Sequence, residues 1–474
     1  MKRRGLTASA ALITLIGLAA VCGQVQADAR RAVEAADFMP TLTPAPGKSQ
    51  VHVPAFRLDS RPITNGQFLE FVRSQPQWRR DRVAALFADE SYLSHWAGPD
   101  ALGAQVEANQ PVTRVSWFAA RAYCAAAGGR LPEWNEWELA AAADEDVMDA
   151  RANATWRARI LDWYARPATD RLEAVGLGRP NVYGIQDLHG LVWEWVEDYS
   201  SLMVSSDSRN QGDPDKLEFC GAGSISAQDR ENYPVLMRVA FLSALEGRST
   251  ARRLGFRCAD GAGAPVEAVS PAVDPPAGAQ GGVTAPVQAL APAQVSAPAA
   301  TGQPPGDSLY QLPLALETSD RKTVPLSSLR GKPVIVTMFY GHCTSVCPML
   351  THQLQLLEQR LLPNARANTR VLMVSFDSVK DTPAELSGFS QQHRITDSRW
   401  VLARTSPDNV RLLAAALGIR YRQLPDGSFN HSTTIVLADR EGVIQSRTSG
   451  LQSSDSELVT AANSMFARRA AGRP

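Results

Sequence analysis

Pro333-Val-Ile-Val-Thr-Met-Phe-Tyr340-Gly-His342-Cys343-Thr-Ser-Val-Cys347-Pro348 decides how the second half of this chain folds. Its first eight residues form a continuous apolar run, which reads as a strand buried on both faces. Leu350, Leu354, Leu357 and Leu361 then recur at spacings of 4, 3 and 4 along one face of a helix. Cys347 stands at the helix start, with Pro348 suited to the first helical position. The positive end of the helix dipole favours a thiolate there. Two cysteines three residues apart across a strand-to-helix turn can face one point, where they bind a soft metal or close a disulfide. His431, in Phe429-Asn-His-Ser432 just ahead of another apolar strand, is the third candidate ligand. Two Cys and one His suit copper, and zinc is possible by ligand type. His342 and His352 flank the motif and read as exposed neighbours.

Outward from this motif the pattern alternates. Val371–Phe376, Trp400–Arg404 and Thr433–Ala438 read as strands. Helices fall near 384–392 and from Ser406 to Leu417-Gly418, and Asp439-Arg-Glu-Gly442 reads as a turn. Such alternation implies an α/β unit with a partly parallel sheet over 307–465.

The whole chain has 474 residues, 48 basic and 48 acidic. At roughly 100–200 residues per domain it holds two to four domains. Its zero net charge excludes a broad phosphate-neutralising surface, so no nucleic-acid partner is expected. Six cysteines are too few for a disulfide scaffold. Residues 1–27 read as a signal peptide, with Lys2-Arg-Arg4, an apolar run and small residues at Val25-Gln-Ala27. The expected location is the periplasm, with membrane contact only if that segment stays uncleaved. Residues 260–306 carry nine prolines among Ala, Gly and Val, without one Lys or Arg. They read as a disordered, extended Pro/Ala-rich linker. Ahead of it, 50–259 holds nine of the ten tryptophans and two clear helices, Ser116–Ala127 and Glu133–Ala143. The rest of that region reads as irregular, compact α+β.

Gly331-Lys-Pro-Val-Ile-Val, Cys343-Thr-Ser-Val-Cys347-Pro, Val374-Ser-Phe-Asp377-Ser-Val-Lys-Asp381 and Asn430-His431-Ser-Thr-Thr resemble the Sco/SenC family of copper chaperones. That resemblance implies a thioredoxin-like fold for 307–465. It implies copper ligation by Cys343, Cys347 and His431, with Asp377 behind them as a supporting residue. It also implies a role in assembling copper centres of respiratory enzymes, by metal delivery, by thiol reduction of the target, or both.

Arg130-Leu-Pro-Glu-Trp-Asn-Glu-Trp137, Asn181-Val-Tyr-Gly-Ile-Gln-Asp187-Leu-His-Gly190, Val192-Trp-Glu-Trp195 and Leu254-Gly-Phe-Arg-Cys258 resemble the formylglycine-generating-enzyme, or sulfatase-modifying-factor, superfamily. The implied fold is its irregular, C-type-lectin-like α+β domain over 50–259. Oxidase members hold copper with two cysteines shortly before the Gly-Phe-Arg element. Here Tyr233–Phe241 contains none. Iron-dependent relatives need a histidine cluster, and this half offers only His52, His95 and His189, scattered. Leu191 replaces the family's usual Asn after Gly190. A non-catalytic docking role follows. The resemblance also implies a disulfide between Cys124 and Cys258, leaving Cys220 as a buried free thiol.

Together these readings describe a copper-binding accessory protein serving a client copper enzyme, such as a nitrite reductase or a cytochrome oxidase. It is expected not to be an enzyme itself. The first alternative is a thiol–disulfide oxidoreductase using Cys343 and Cys347. The second is a formylglycine-type oxidase on the first domain.

Overall fold

The computed structural model describes residues 30–42, 50–165, 171–202, 233–261, 302–343, 346–424, 426–448 and 456–467. The signal segment, Cys220 and nearly all of 260–306 lie outside them. Among the described residues, no helix is long and apolar enough to cross a membrane.

The first unit opens with β1 (Arg30–Val33), β2 (Ala36–Phe38), β3 (Val51–Val53) and β4 (Phe56–Asp59). Helices α1 (Asn65–Ser74), α2 (Trp117–Ala126), α3 (Trp134–Ala141) and α4 (Ala154–Ala165) follow, then β5 (Trp193–Glu194), α5 (Tyr233–Ser243), β6 (Leu254–Gly255) and β7 (Ala259–Gly261). β4 pairs antiparallel with β1 on one side and β7 on the other. The unit therefore takes in strands ahead of residue 50, the boundary read from the sequence. Those strands are three and four residues long, too short to show a period.

The expected helices are present, each with a local cause. Ser116 caps α2 by accepting from the Ala119 amide, and Gly128 ends it at φ 70°, a conformation suited to glycine. Glu133 and Glu136 satisfy each other's orphan amides at the start of α3. Between the elements, buried indoles hold the loops. Trp195 donates to the Val115 carbonyl at 2.9 Å and Trp117 to that of Val196 at 3.1 Å. Cys124 and Cys258 form the disulfide.

The second unit contains β8 (Ala315–Thr318), β9 (Thr323–Pro325), β10 (Val334–Phe339), α6 (Val346–Gln359), α7 (Pro363–Asn368), β11 (Arg370–Ser375), α8 (Pro383–Gln392), β12 (Trp400–Arg404) and α9 (Pro407–Leu417). β13 (Tyr421–Gln423), β14 (Phe429–His431), β15 (Val436–Ala438), β16 (Ile444–Arg447) and α10 (Ser456–Ala467) complete it. Its seven-stranded sheet runs β16-β15-β10-β11-β12-β8-β9. β10, β11 and β12 are parallel and the outer pairings antiparallel, which is the thioredoxin-like, partly parallel sheet expected. Every residue of β10 is buried, as its unbroken apolar run requires. β13 and β14 form a separate hairpin beside the main sheet.

The two units touch. Glu133 pairs with Arg411 at 3.0 Å, Arg121 with Asp408 at 3.2 Å, and Glu246 with Arg447 at 3.1 Å. A side chain on Gly247 would come within 3.2 Å of the Ala415 methyl. The apolar cluster runs without a break from the first unit into the second. A proline-rich connection had suggested two bodies held at a distance; the described residues instead pack against one another.

Candidate metal centre

β10 delivers the loop that begins at Tyr340. Gly341 is needed there because its backbone lies against Asp381: its amide donates to Asp381 Oδ2 at 2.7 Å, and a Cβ would sit 2.7 Å from Oδ1. Two residues later comes Cys343, and the first turn of α6 supplies Cys347. His431 arrives from the far side as the last residue of β14. That is just ahead of the next strand, as read, and β14 is itself a short strand. The strand that follows is shorter than expected, Val436–Ala438, and the hairpin's signal is the Asp426-Gly427 turn between aromatic residues.

Cys347 and His431 are 0% and 1% exposed, and Cys343 is 7% exposed. Cys347 Sγ faces His431 Nε2 at 3.8 Å. The other ring nitrogen, Nδ1, meets the Ser432 carbonyl at 3.1 Å. A carbonyl only accepts, so Nδ1 carries the proton and the Nε2 lone pair points at the sulfur. The Cys347 amide donates to Cys343 Sγ at 3.3 Å, and neither cysteine is in a disulfide. Burial, and then the neighbouring Cys343, push the Cys347 thiol well above its usual range. The field of the helix start is outweighed, so the thiolate expected from the sequence is a thiol in this state. Among the described residues, no three His, Cys, Asp or Glu side chains are gathered tightly enough to hold a metal as they stand.

Aromatic rings wall the site. Phe376 lies 5.0 Å from the His431 ring and Tyr340 6.2 Å from it, edge-on. Among the described residues, the hydrogen bonds of Asp377 stay within its own turn. Its Oδ1 accepts from the Val379 and Lys380 amides, closing that turn. Asp381, four residues on and fully buried, holds the cysteine loop instead. It accepts from Gly341 and from the Ser375 hydroxyl, and faces His342 Nδ1 at 3.3 Å. The sequence signal for it was the second acid of Asp377-Ser-Val-Lys-Asp381. His342 and His352 are both exposed, as read.

In the first unit, Tyr233–Phe241 is most of helix α5. Within it, Arg238 is buried with its guanidinium 3.7 Å from the centre of Trp137 and 5.6 Å from that of Trp193. Phe241 and Tyr164 pack on Trp193 at 5.1 and 5.3 Å. His52 pairs with Asp37 at the surface and His95 lies beside Trp96. His189 sits between Trp137 and Trp156. Burial pushes both His95 and His189 down to about 4, so each is neutral at physiological pH. These three histidines are not brought together as ligands. Glu194 and Arg257, both completely buried, form a two-point pair at 2.9 Å beneath Trp137, whose indole donates to Glu194 at 2.9 Å. The Gly-Phe-Arg and Trp-Glu-Trp strings thus serve an ion pair in the core, which the sequence did not disclose.

Comparison with known proteins gives two matches along the chain. Residues 19–262 match the family described as a sulfatase-modifying factor enzyme 1-like domain, and 302–466 match SCO1/SenC. The chain is 32% identical over 254 residues to an inactive C-alpha-formylglycine-generating enzyme 2 of Bos taurus, covering 46% of this chain and 80% of that protein. It is 31% identical over 180 residues to a hercynine oxygenase of Mycobacterium tuberculosis, covering 35% of this chain but only 42% of that protein. Among solved structures, Arabidopsis thaliana ScoI with copper bound is 19% identical, with a TM-score of 0.30, over 33% of this chain and 97% of the other.

Proposed function

Because the chain belongs to the sulfatase-modifying-factor family through residues 19–262 and joins to it a SCO1/SenC domain at 302–466, we propose that it is a periplasmic copper-binding accessory protein. Copper is its cargo, held by Cys343, Cys347 and His431 and passed to a client copper enzyme of respiration, such as a nitrite reductase or a cytochrome oxidase. One observation carries this reading: a buried imidazole, its tautomer set by the Ser432 carbonyl, aims its lone pair at a buried cysteine sulfur. Soft sulfur with nitrogen in a dry, aromatic-walled site favours copper(I) over hard cations. The Cys347 thiol must lose its proton for the ion to bind, so loading releases protons. Asp381 fixes the loop that presents Cys343. The first domain is read as a recognition module, since its helix α5 offers a guanidinium in a box of rings in place of soft ligands.

The two reduced cysteines in contact also favour a second reading, a thiol–disulfide oxidoreductase in which Cys343 and Cys347 cycle. His431→Ala separates the two. Copper(I) affinity, measured by competition with a chromogenic chelator, is expected to fall on the order of 100-fold, while the cysteine pair still oxidises. Equal, tight binding by both proteins would remove His431 from the ligand set. Weak binding by both would favour the oxidoreductase.

A further inference from the structure

The hairpin that carries His431 is two strands of three residues, and an isolated pair of that size has little stability of its own. Its inner strand is buried throughout. Its outer strand, β13, packs on the Tyr199–Ser201 turn of the first domain. Tyr421 on β13 lies directly opposite His431 in the pairing. The Tyr421 ring stacks on Phe376 at 4.9 Å, and Phe376 in turn lies 5.0 Å from the imidazole. The Ser432 carbonyl that orients His431 belongs to a residue bound twice to Arg420: its amide donates to the Arg420 carbonyl at 2.8 Å, and its hydroxyl oxygen accepts from the Arg420 amide at 3.0 Å.

Across the seam stands a charged wall. Arg411 of α9 reaches Glu133 at 3.0 Å and Glu197 at 3.9 Å, and Arg121 holds Glu197 at 2.8 Å. Glu197 and Arg121 are both buried. β13, which carries Tyr421, packs on the turn that begins two residues after Glu197. Three of the four charged groups, Glu133, Glu197 and Arg121, come from the first domain.

We infer that the first domain positions the metal-binding imidazole: the Glu133–Arg411–Glu197 seam seats Tyr421, and through it the hairpin that aims His431 at Cys347. This deepens the copper reading above and rests on it. The first domain is then a wall of the copper site as well as a recognition surface, and these are positioning residues that touch no metal.

The test uses the full chain. Arg411→Met and Glu133→Gln, singly and together, are titrated with copper(I) against a chromogenic chelator. The reduction potential of the Cys343–Cys347 couple is measured in glutathione buffers. Each single change is expected to weaken copper binding about 10-fold, the double change little further, and the potential is expected to stay in place. Introduced into His431→Ala, the same changes should leave copper affinity where it was. A purely structural seam would instead lower affinity equally in both backgrounds, which would overturn the inference, as would wild-type affinity in a folded Arg411→Met protein. Arg411→Lys, which keeps the charge and loses the fork, should fall between the two; wild-type affinity there with a loss in Arg411→Met still supports a positional role. If wild type and His431→Ala bind copper alike, the copper reading itself fails, and it does so independently of the seam.

Discussion

Each domain buries reactive-looking side chains near a helix start, and the two places are built in opposite ways. In the second domain Cys343, Cys347 and His431 are shielded from water, and the sulfur and nitrogen that face each other are held 3.8 Å apart. In the first, Glu194 and Arg257 satisfy each other through two bonds, and Arg238 fills the space over Trp137. A polar group that has its complement is architecture. A thiol facing an imidazole nitrogen, with the supporting loops tied down, is a soft donor set. Both regions are equally buried, so burial alone does not distinguish them; the chemistry of the paired groups does.

The sharpest way to break that contrast is to remove half of the satisfied pair. Glu194→Ala leaves Arg257 buried and uncompensated and is expected to destabilise the protein by about 3–5 kcal/mol in denaturant unfolding. A change below about 1 kcal/mol would mean that the pair is not the support described. A smaller effect is expected at the seam. Asp198 accepts from the Trp134 amide, and burial together with nearby Glu133, offset in part by Arg411, pushes its carboxyl up to about 7. The unfolded chain has a carboxyl near 4, so between about 4 and about 7 the folded state holds the extra proton and stability falls as pH rises. Asp198 keeps some surface exposure, which reduces the size of the effect. Asp198→Asn should flatten that slope and be more stable than wild type at pH 8, by thermal unfolding across the range; an unchanged slope would remove Asp198 as its source. The least disruptive change is Arg238→Met. Among the described residues its Nε has no hydrogen-bond partner, and an apolar chain of similar length keeps contact with both indoles, so a shift within about 1.5 kcal/mol is expected. A loss as large as that of Glu194→Ala would show that Arg238 is architecture of the same kind.

Much of the second domain was legible because its signals are local. An unbroken apolar run, a CxxxC turn and leucines at helical spacing lie within thirty residues. Ser406 and Gly418 mark both ends of α9 as read, with Gly418 at φ 69°. His431 was identified by its chemistry, while the extent of its hairpin strands was not legible, because three-residue strands have no period to detect. Asp377 came from the family resemblance alone, and it is the fold that shows Asp381 to be the acid bonded to Gly341. In the first domain, α2 and α3 were visible from their caps. The Glu194–Arg257 pair was not, since its partners lie 63 residues apart and neither neighbourhood hints at burial. The seam was the least legible feature of all. A proline-rich connection describes how two bodies are tethered, and it is silent on whether their surfaces match.

That seam has a consequence for how the gene can change. Glu133 and Arg411 are 278 residues apart, on opposite sides of a segment that looks like a simple joint between exchangeable parts. If the parts were freely exchangeable, either could be replaced by a cousin without regard to the other. With Arg121 committed to Asp408, and Arg411 to Glu133 and Glu197, a swapped domain would present mismatched charge to its new neighbour. Descent should therefore favour paired substitutions across the joint, and the two halves should have been inherited together since they were first fused.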